Sequence, residues 1–163
     1  GNASLILQPV LQFGKSGCLL NPLDWGSWHI AAYLVDGNGR AHCGKTIKVQ
    51  TNDTVVGVMK QTNAETNVWE VSASSGGSTS TFTTSLGEKV VDAAYLTLEG
   101  MVIYNCKTYP PGGGVTFTNI SLNTINGPIK NSKWEPEIRH SECKQDVSVI
   151  SNDQVELLWS SDA

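Results

Sequence analysis

Apolar residues along this chain recur at every second position far more often than at helical spacing. In "SLILQPVLQF", residues 4–13, the side chains of Ile6, Gln8, Val10 and Gln12 fall on one face of a strand. Leu5, Leu7, Pro9, Leu11 and Phe13 fall on the other, which reads as a core face. The two glutamines need a partner, water or a ligand. In "GSWHIAAYLV", residues 26–35, Ser27, His29, Ala31 and Tyr33 share one face and Trp28, Ile30, Ala32 and Leu34 the other. In "AAYLTLEG", residues 93–100, Ala93, Tyr95, Thr97 and Glu99 share a face. Leu96 and Leu98 point the other way and are expected between two sheets. A carboxylate that follows a tyrosine and a threonine in an apolar segment marks either a solvent-facing edge or the polar wall of a cleft.

The pattern predicts strands over 4–13, 26–35, 45–50, 53–61, 66–73, 79–84, 92–105, 114–125, 145–150 and 153–159. Turn signals separate them: Asp36-Gly37-Asn38-Gly39, Ser75-Gly76-Gly77-Ser78, Pro110 to Gly114, and Ser151-Asn152-Asp153. Residues 126–142 are polar and irregular and read as a surface loop tied down by Cys143. No internal repeat or linker divides the chain, so the expectation is all-β: one sandwich domain over 1–163 with little helix.

Composition narrows the function. Charged residues are 16% of the 163 and the net charge is −4, with no cluster of Lys and Arg, which argues against nucleic acid as a partner. No apolar run approaches the roughly 20 residues of a membrane span. The chain holds four cysteines, Cys18, Cys43, Cys106 and Cys143, none in a CxxC pair. Four cysteines allow three connectivities; Cys18–Cys43 and Cys106–Cys143 are favoured because each closes a moderate loop. Sequons stand at Asn2, Asn52 and Asn119. Paired cysteines with sequons point to the secretory pathway.

The three histidines, His29, His42 and His140, show no ligand spacing, so no metal is expected. There is no phosphate loop, no GxSxG and no recognisable Ser/His/Asp set. A lone histidine is more often structural than catalytic. Beside Tyr33, with small Ala31 between, His29 would nevertheless floor a shallow pocket, and histidine exchanges protons near neutral pH. The five tryptophans are mostly expected in the core. Trp28 and Trp69 are candidates for the wall of a concave face that holds apolar molecules or sugars.

These residues resemble a family. "ILQ" at 6–8, "SWHIAAYLVD" at 27–36, "AYLTLE" at 94–99 and "GVTFTNISL" at 114–122 follow the order seen in fungal glutamic peptidases. The resemblance implies a concanavalin A-like (jelly-roll) sandwich of two antiparallel sheets with a cleft on the concave one. It also implies a catalytic glutamine and glutamate on neighbouring strands, matched here by Gln8 and Glu99. The chain departs from the peptidases where Pro9 follows Gln8, and where Ala31-Ala32 and Leu34 replace a more aromatic and acidic pattern. It is also shorter. A cleft with fewer acids suits an apolar ligand.

"ILQPVLQFG", "AAYLVD", "LTLEGMVIYNC" and "YPPG…FTNISL" are similar to small secretory fungal proteins that include the hetero-Diels–Alderases of tropolone-sesquiterpenoid pathways. That likeness implies dehydration of a hydroxymethyl tropolone to an o-quinone methide and its cycloaddition to a humulene-type alkene. Glu99, partly buried beside Tyr95 and Thr97, would donate a proton to the leaving hydroxyl. Gln8 would hydrogen-bond the tropolone oxygens, with Gln12, Tyr33 and the tryptophans holding the apolar substrates. No cofactor is implied. Two other readings stand beside it: an acid peptidase using the same Gln8/Glu99 pair, and a glycan-binding module without catalysis. Oligomeric state, a homodimer included, is left open by the sequence.

Overall fold

A computed structural model of the chain describes residues 5–19, 21–100, 105–130, 132–139 and 141–162. The sequon at Asn2, His140, and residues 101–104 of the strand expected over 92–105 lie outside the described residues. The architecture is all-β and antiparallel, as expected. Helical structure among the described residues is confined to short 3-10 turns such as Pro22–Asp24. The chain divides into two compact units, Gly1–Asp92 and Ala93–Ala163.

The first unit packs one sheet on another. Its first sheet holds β1 (Ile6–Phe13), β2 (Trp28–Val35), β3 (Ala41–Cys43) and β4 (Ile47–Val49), with β2 in the centre. Its second holds β5 (Val56–Asn63), β6 (Val68–Ser75) and β7 (Ser78–Ser85), in that order. The Asp36 to Gly39 turn closes as expected: Asp36 Oδ1 accepts from the N–H groups of Asn38 at 2.9 Å and Arg40 at 3.0 Å. Its second arm is β3, which the sequence pattern missed because three residues carry too little alternation. β3 pairs with Tyr33–Val35 and β4 with Trp28–Ile30, so two short strands share one edge of β2.

The break between them is filled from the other sheet. Ala32 lies opposite the gap, where no strand can take its N–H. Ser80 Oγ of β7, fully buried, accepts that N–H at 3.0 Å. Gly44, in the gap, donates its own N–H to Ala32 O at 2.9 Å. It must be small, since a Cβ there would meet Ser80 Oγ at 2.7 Å and the Thr81 carbonyl more closely still. Ala32 directs its backbone groups toward the gap, so its partner Pro9 directs its nitrogen outward from β1. β1 is an edge strand of this sheet, which is why proline is tolerated in it.

Ile30, Val49 and Ala73 form the buried core between these sheets, with Trp28, Ile47 and Val55 packed on it. Phe13 and Trp28, opposite each other in the register, bring their rings to 5.2 Å. Gly57 of β5 admits Pro9 against it; a Cβ there would lie 2.6 Å from Pro9 Cγ.

The second unit holds β8 (Gly114–Phe117), a two-residue pair β9 (Asn123–Thr124) and β10 (Gly127–Pro128), then β11 (Asp146–Ser151) and β12 (Gln154–Leu158). β12 lies between β11 and β8. Its buried cluster is Tyr109, Cys143 and Trp159, with Leu98, Cys106 and Val115 against it. Trp159 Nε1 donates to Pro110 O at 2.9 Å.

Two expected strands are corrected here. The strand over 114–125 stops at Phe117, because Asn119 takes a left-handed conformation, φ 56°, that no ladder accommodates. Over 92–100 there is no strand. The period of two survives as burial alone: Leu96 and Leu98 are half-buried, not enclosed between sheets, while Tyr95, Thr97 and Glu99 are exposed. Apolar alternation extends a backbone; a strand also needs a neighbour for its hydrogen bonds, and none is present among the described residues.

Candidate functional site

The antiparallel register of β1 and β2 sets Gln8 opposite Tyr33, Val10 opposite Ala31 and Gln12 opposite His29. Directly opposed residues present their side chains on the same face. The two polar faces that the alternation pattern identified separately are therefore one surface: Gln8, Gln12, His29 and Tyr33 around small or apolar Val10 and Ala31. Gln12, His29, Ala31 and Tyr33 are buried and Gln8 is half-buried.

The loop that joins β1 to β2 organises this surface. Its Ser16 Oγ accepts from Leu19 N at 3.0 Å and Cys18 N at 3.2 Å. Ser16 Oγ also lies 2.8 Å from Tyr33 Oη, and the Tyr33 hydroxyl donates to Gln12 Oε1. With two N–H donors already on it, Ser16 spends its own proton on Tyr33. Tyr33 then donates onward, which fixes the Gln12 amide with its oxygen toward the tyrosine. The Cys18–Cys43 disulfide ties this loop to the end of β3, and Trp25 Nε1 closes it on Leu19 O at 3.1 Å. Burial pushes the Tyr33 phenol up from its ordinary range, against the smaller opposing effect of its Ser16 and Gln12 hydrogen bonds, so it stays protonated.

The sequence pattern did not single out Ser16. A signal was present: a serine whose hydroxyl meets the N–H groups two and three residues on is a recurrent turn device, and Gly17 and Cys18 follow it.

Opposite Gln12, His29 Nδ1 lies 3.1 Å from Ser27 O. A carbonyl only accepts, so Nδ1 carries a proton. Gln8 makes no side-chain hydrogen bond among the described residues.

Other expected site residues lie elsewhere. Trp28 is on the opposite face of β2, packed with Phe13 and the core, because its position in the strand has the other parity. Trp69 is half-buried on β6, its Nε1 held by Asn67 Oδ1 at 2.9 Å. It borders an open cleft of about 410 Å³ with Gln61, Asn67 and Val90. Asn67 is fully engaged there: it also accepts from Gln61 Nε2 and donates to the carbonyls of Gly87 and Lys89. Tyr95, Thr97 and Glu99 belong to the second unit and are exposed, Tyr95 at 80%. The partial burial expected for Glu99 is not found.

Both favoured disulfides are formed, Cys18–Cys43 and Cys106–Cys143, and no free cysteine remains among the described residues. Asn52 and Asn119 are exposed at turns with positive φ, 72° and 56°. Among the described residues no helix is long and apolar enough to cross a membrane.

The fold has a counterpart among solved structures. The crystal structure of aspergilloglutamic peptidase from Aspergillus niger is similar over 96% of this chain and 90% of that one, with a TM-score of 0.58 and 16% identity. That likeness establishes a glutamic-peptidase-like, all-β sandwich fold. No family model and no curated protein matches the chain.

Proposed function

We propose that this chain is a secreted or lumenal fungal enzyme of secondary metabolism. It would dehydrate a hydroxymethyl tropolone to an o-quinone methide and guide the hetero-Diels–Alder addition of that intermediate to a humulene-type sesquiterpene. The observation that carries the reading is the β1–β2 surface: Gln8, Gln12, Tyr33 and His29 gathered by register, without a carboxylate among them. Neutral donors and acceptors around Val10 and Ala31 suit an uncharged, largely apolar molecule with a few oxygens. Two disulfides are consistent with an oxidising compartment.

The chemistry balances without a cofactor. The ring hydroxyl loses its proton, and the hydroxymethyl carbon loses its oxygen as water once that oxygen is protonated. The ring gains a carbonyl and an exocyclic methylene. The resulting O=C–C=CH₂ unit adds across the alkene, forming one C–O and one C–C bond with no atom lost. In this reading His29 Nε2 takes the ring proton and Gln8 hydrogen-bonds the tropolone oxygens. Protonation of the leaving hydroxyl is the role that the sequence resemblance assigns to Glu99. Tyr33 and Gln12 line the oxygen-bearing side. Orientation of the two reactants supplies much of the rate.

Single-turnover conversion tests the roles. Glu99→Gln keeps shape and removes the transferable proton, so turnover should fall about 10²–10⁴-fold. Gln8→Ala removes one hydrogen-bond donor and should slow the reaction by at most about 10²–10³-fold. Full activity in Glu99→Gln would remove it from the mechanism. A second reading, carried by the sequence resemblance to glutamic peptidases, is an acid endopeptidase. It expects cleavage of a denatured protein at acid pH.

A further inference from the structure

An open cleft of about 410 Å³ lies between the β5–β6 turn and the segment after β7, within the first unit. Its volume falls in the range of about 300–1,000 Å³ that small-molecule sites occupy. No residue of the β1–β2 surface lines it. Its shape is set by Asn67, whose backbone takes a left-handed conformation, φ 49°, that asparagine tolerates. Asn67 Oδ1 accepts from Gln61 Nε2 and from Trp69 Nε1, both at 2.9 Å. Its Nδ2 donates to the carbonyls of Gly87 at 2.9 Å and Lys89 at 2.7 Å. Leu86, buried, donates its N–H to Asn67 O at 3.0 Å. One side chain thus staples both walls, so the cleft is built before any ligand arrives.

What the walls offer follows from what the staple uses. Trp69 spends its one N–H on Asn67, so its indole presents apolar ring surface to the cleft. Val90 and Val91 line the same cleft and are 79% and 47% exposed, apolar side chains left open to water beside it. Gln61 gives one amide hydrogen to Asn67 and keeps the other, with its carbonyl oxygen. Glu65 and Glu88, both exposed, add carboxylate oxygens to the rim. These two repel an anion, and Lys89 on the same cleft offsets part of their pull on a cation. An apolar patch ringed by acceptors fits a neutral molecule with one apolar face and several O–H donors on its edge. We infer that the cleft binds a pyranose sugar. The C–H face of the ring lies on Trp69 and the two valines, and its hydroxyls donate to Glu65, Glu88 and Gln61 Oε1. The inference is independent of the reaction proposed above.

The test uses the full chain labelled with ¹⁵N, titrated separately with cellobiose and with N,N′-diacetylchitobiose. The Trp69 indole N–H signal is assigned by its loss in Trp69→Phe. At least one of the two sugars should shift it saturably, together with the Gln61 side-chain amide, and leave the His29 imidazole signals in place. Glu65→Ala and Glu88→Ala change exposed residues, so folding should survive. Each should weaken sugar binding about tenfold, the worth of one hydrogen bond to a carboxylate. Trp69→Ala should abolish the saturable shift of the Gln61 amide; if that variant fails to fold, the two glutamate variants carry the test. Unmoved Trp69 and Gln61 signals with both sugars would overturn the inference. So would sugar affinity left unchanged by both glutamate variants. A response of these signals to tetramethylammonium chloride, with none to either sugar, would overturn it in favour of a cation site.

Discussion

The contact between Ser80 and Ala32 makes the sharpest structural prediction. Both residues are fully buried, and the Ser80 hydroxyl is the acceptor of the Ala32 N–H at 3.0 Å. β3 ends at Cys43 and β4 begins at Ile47, so the strands flanking β2 offer no replacement. Ser80→Ala leaves a main-chain donor buried and unpaired, and the expected loss is about 1–3 kcal/mol. Little else changes, because the side chain removed is a single hydroxyl. Equilibrium urea denaturation followed by tryptophan fluorescence reads the effect. The midpoint should fall by roughly 1 M with m unchanged, given typical m values of about 1–3 kcal/mol/M. Exchange of the Ala32 amide hydrogen should accelerate in the same variant. Thr81→Ala, one residue on and exposed, is the control and should stay within about 0.5 kcal/mol of wild type. A Ser80→Ala loss as small as the control's would refute the idea that one hydroxyl seals the gap between β3 and β4.

Gly57→Ala should destabilise by about 1–3 kcal/mol through its collision with the Pro9 ring, and Pro9→Ala should relieve much of that in a double-mutant cycle. The hydrogen bond from His42, aided by the N–H groups of Arg40 and Asn38, holds the Asp36 carboxyl down to about 2, against 3.8 ordinarily. Its stabilising contribution is therefore present above the ordinary value and is lost as pH falls toward about 2. Asp36→Asn should be less stable than wild type at neutral pH, with the gap closing over that acid window. Intact-mass and peptide mapping should find Cys18–Cys43 and Cys106–Cys143, with glycan on at least one of Asn2, Asn52 and Asn119 from a fungal host; four free thiols and no sugar would reject the secretory assignment. The reading of 1–163 as one domain predicts a single calorimetric transition with equal calorimetric and van 't Hoff enthalpies, and two separate transitions would contradict it.

Much of the first unit was legible because its strands obey the simplest rule. Residues 28–35 are apolar on both faces apart from His29, so the period of two alone assigned Gln8 and Gln12 to one face of 6–13, and His29 and Tyr33 to the face opposite Trp28 and Ile30. The meeting of Gln12 with His29 was not legible, because strand pairing and register are tertiary facts. Parity also decided against Trp28 as a wall of this surface, although its residue type made it attractive. The Ser16 contribution was hidden because a loop serine is ordinary until its partners are known. Over 92–100 the same rule misled: Leu96 and Leu98 turn inward as their spacing requires, yet no ladder forms there. At 114–125 the run of β-formers concealed the backbone reversal at Asn119.

In the proposed reaction the chain joins a tropolone to a sesquiterpene. It is tested most directly by giving wild-type protein a hydroxymethyl tropolone and humulene alcohol together and following the product by chiral chromatography and mass spectrometry. The expected product is an adduct with the combined mass less one water, formed faster than in buffer and as one enantiomer, because a chiral protein surface orients both partners. A racemic adduct at the uncatalysed rate would contradict it, and cleavage of denatured casein at acid pH by the same sample would point to the peptidase in its place.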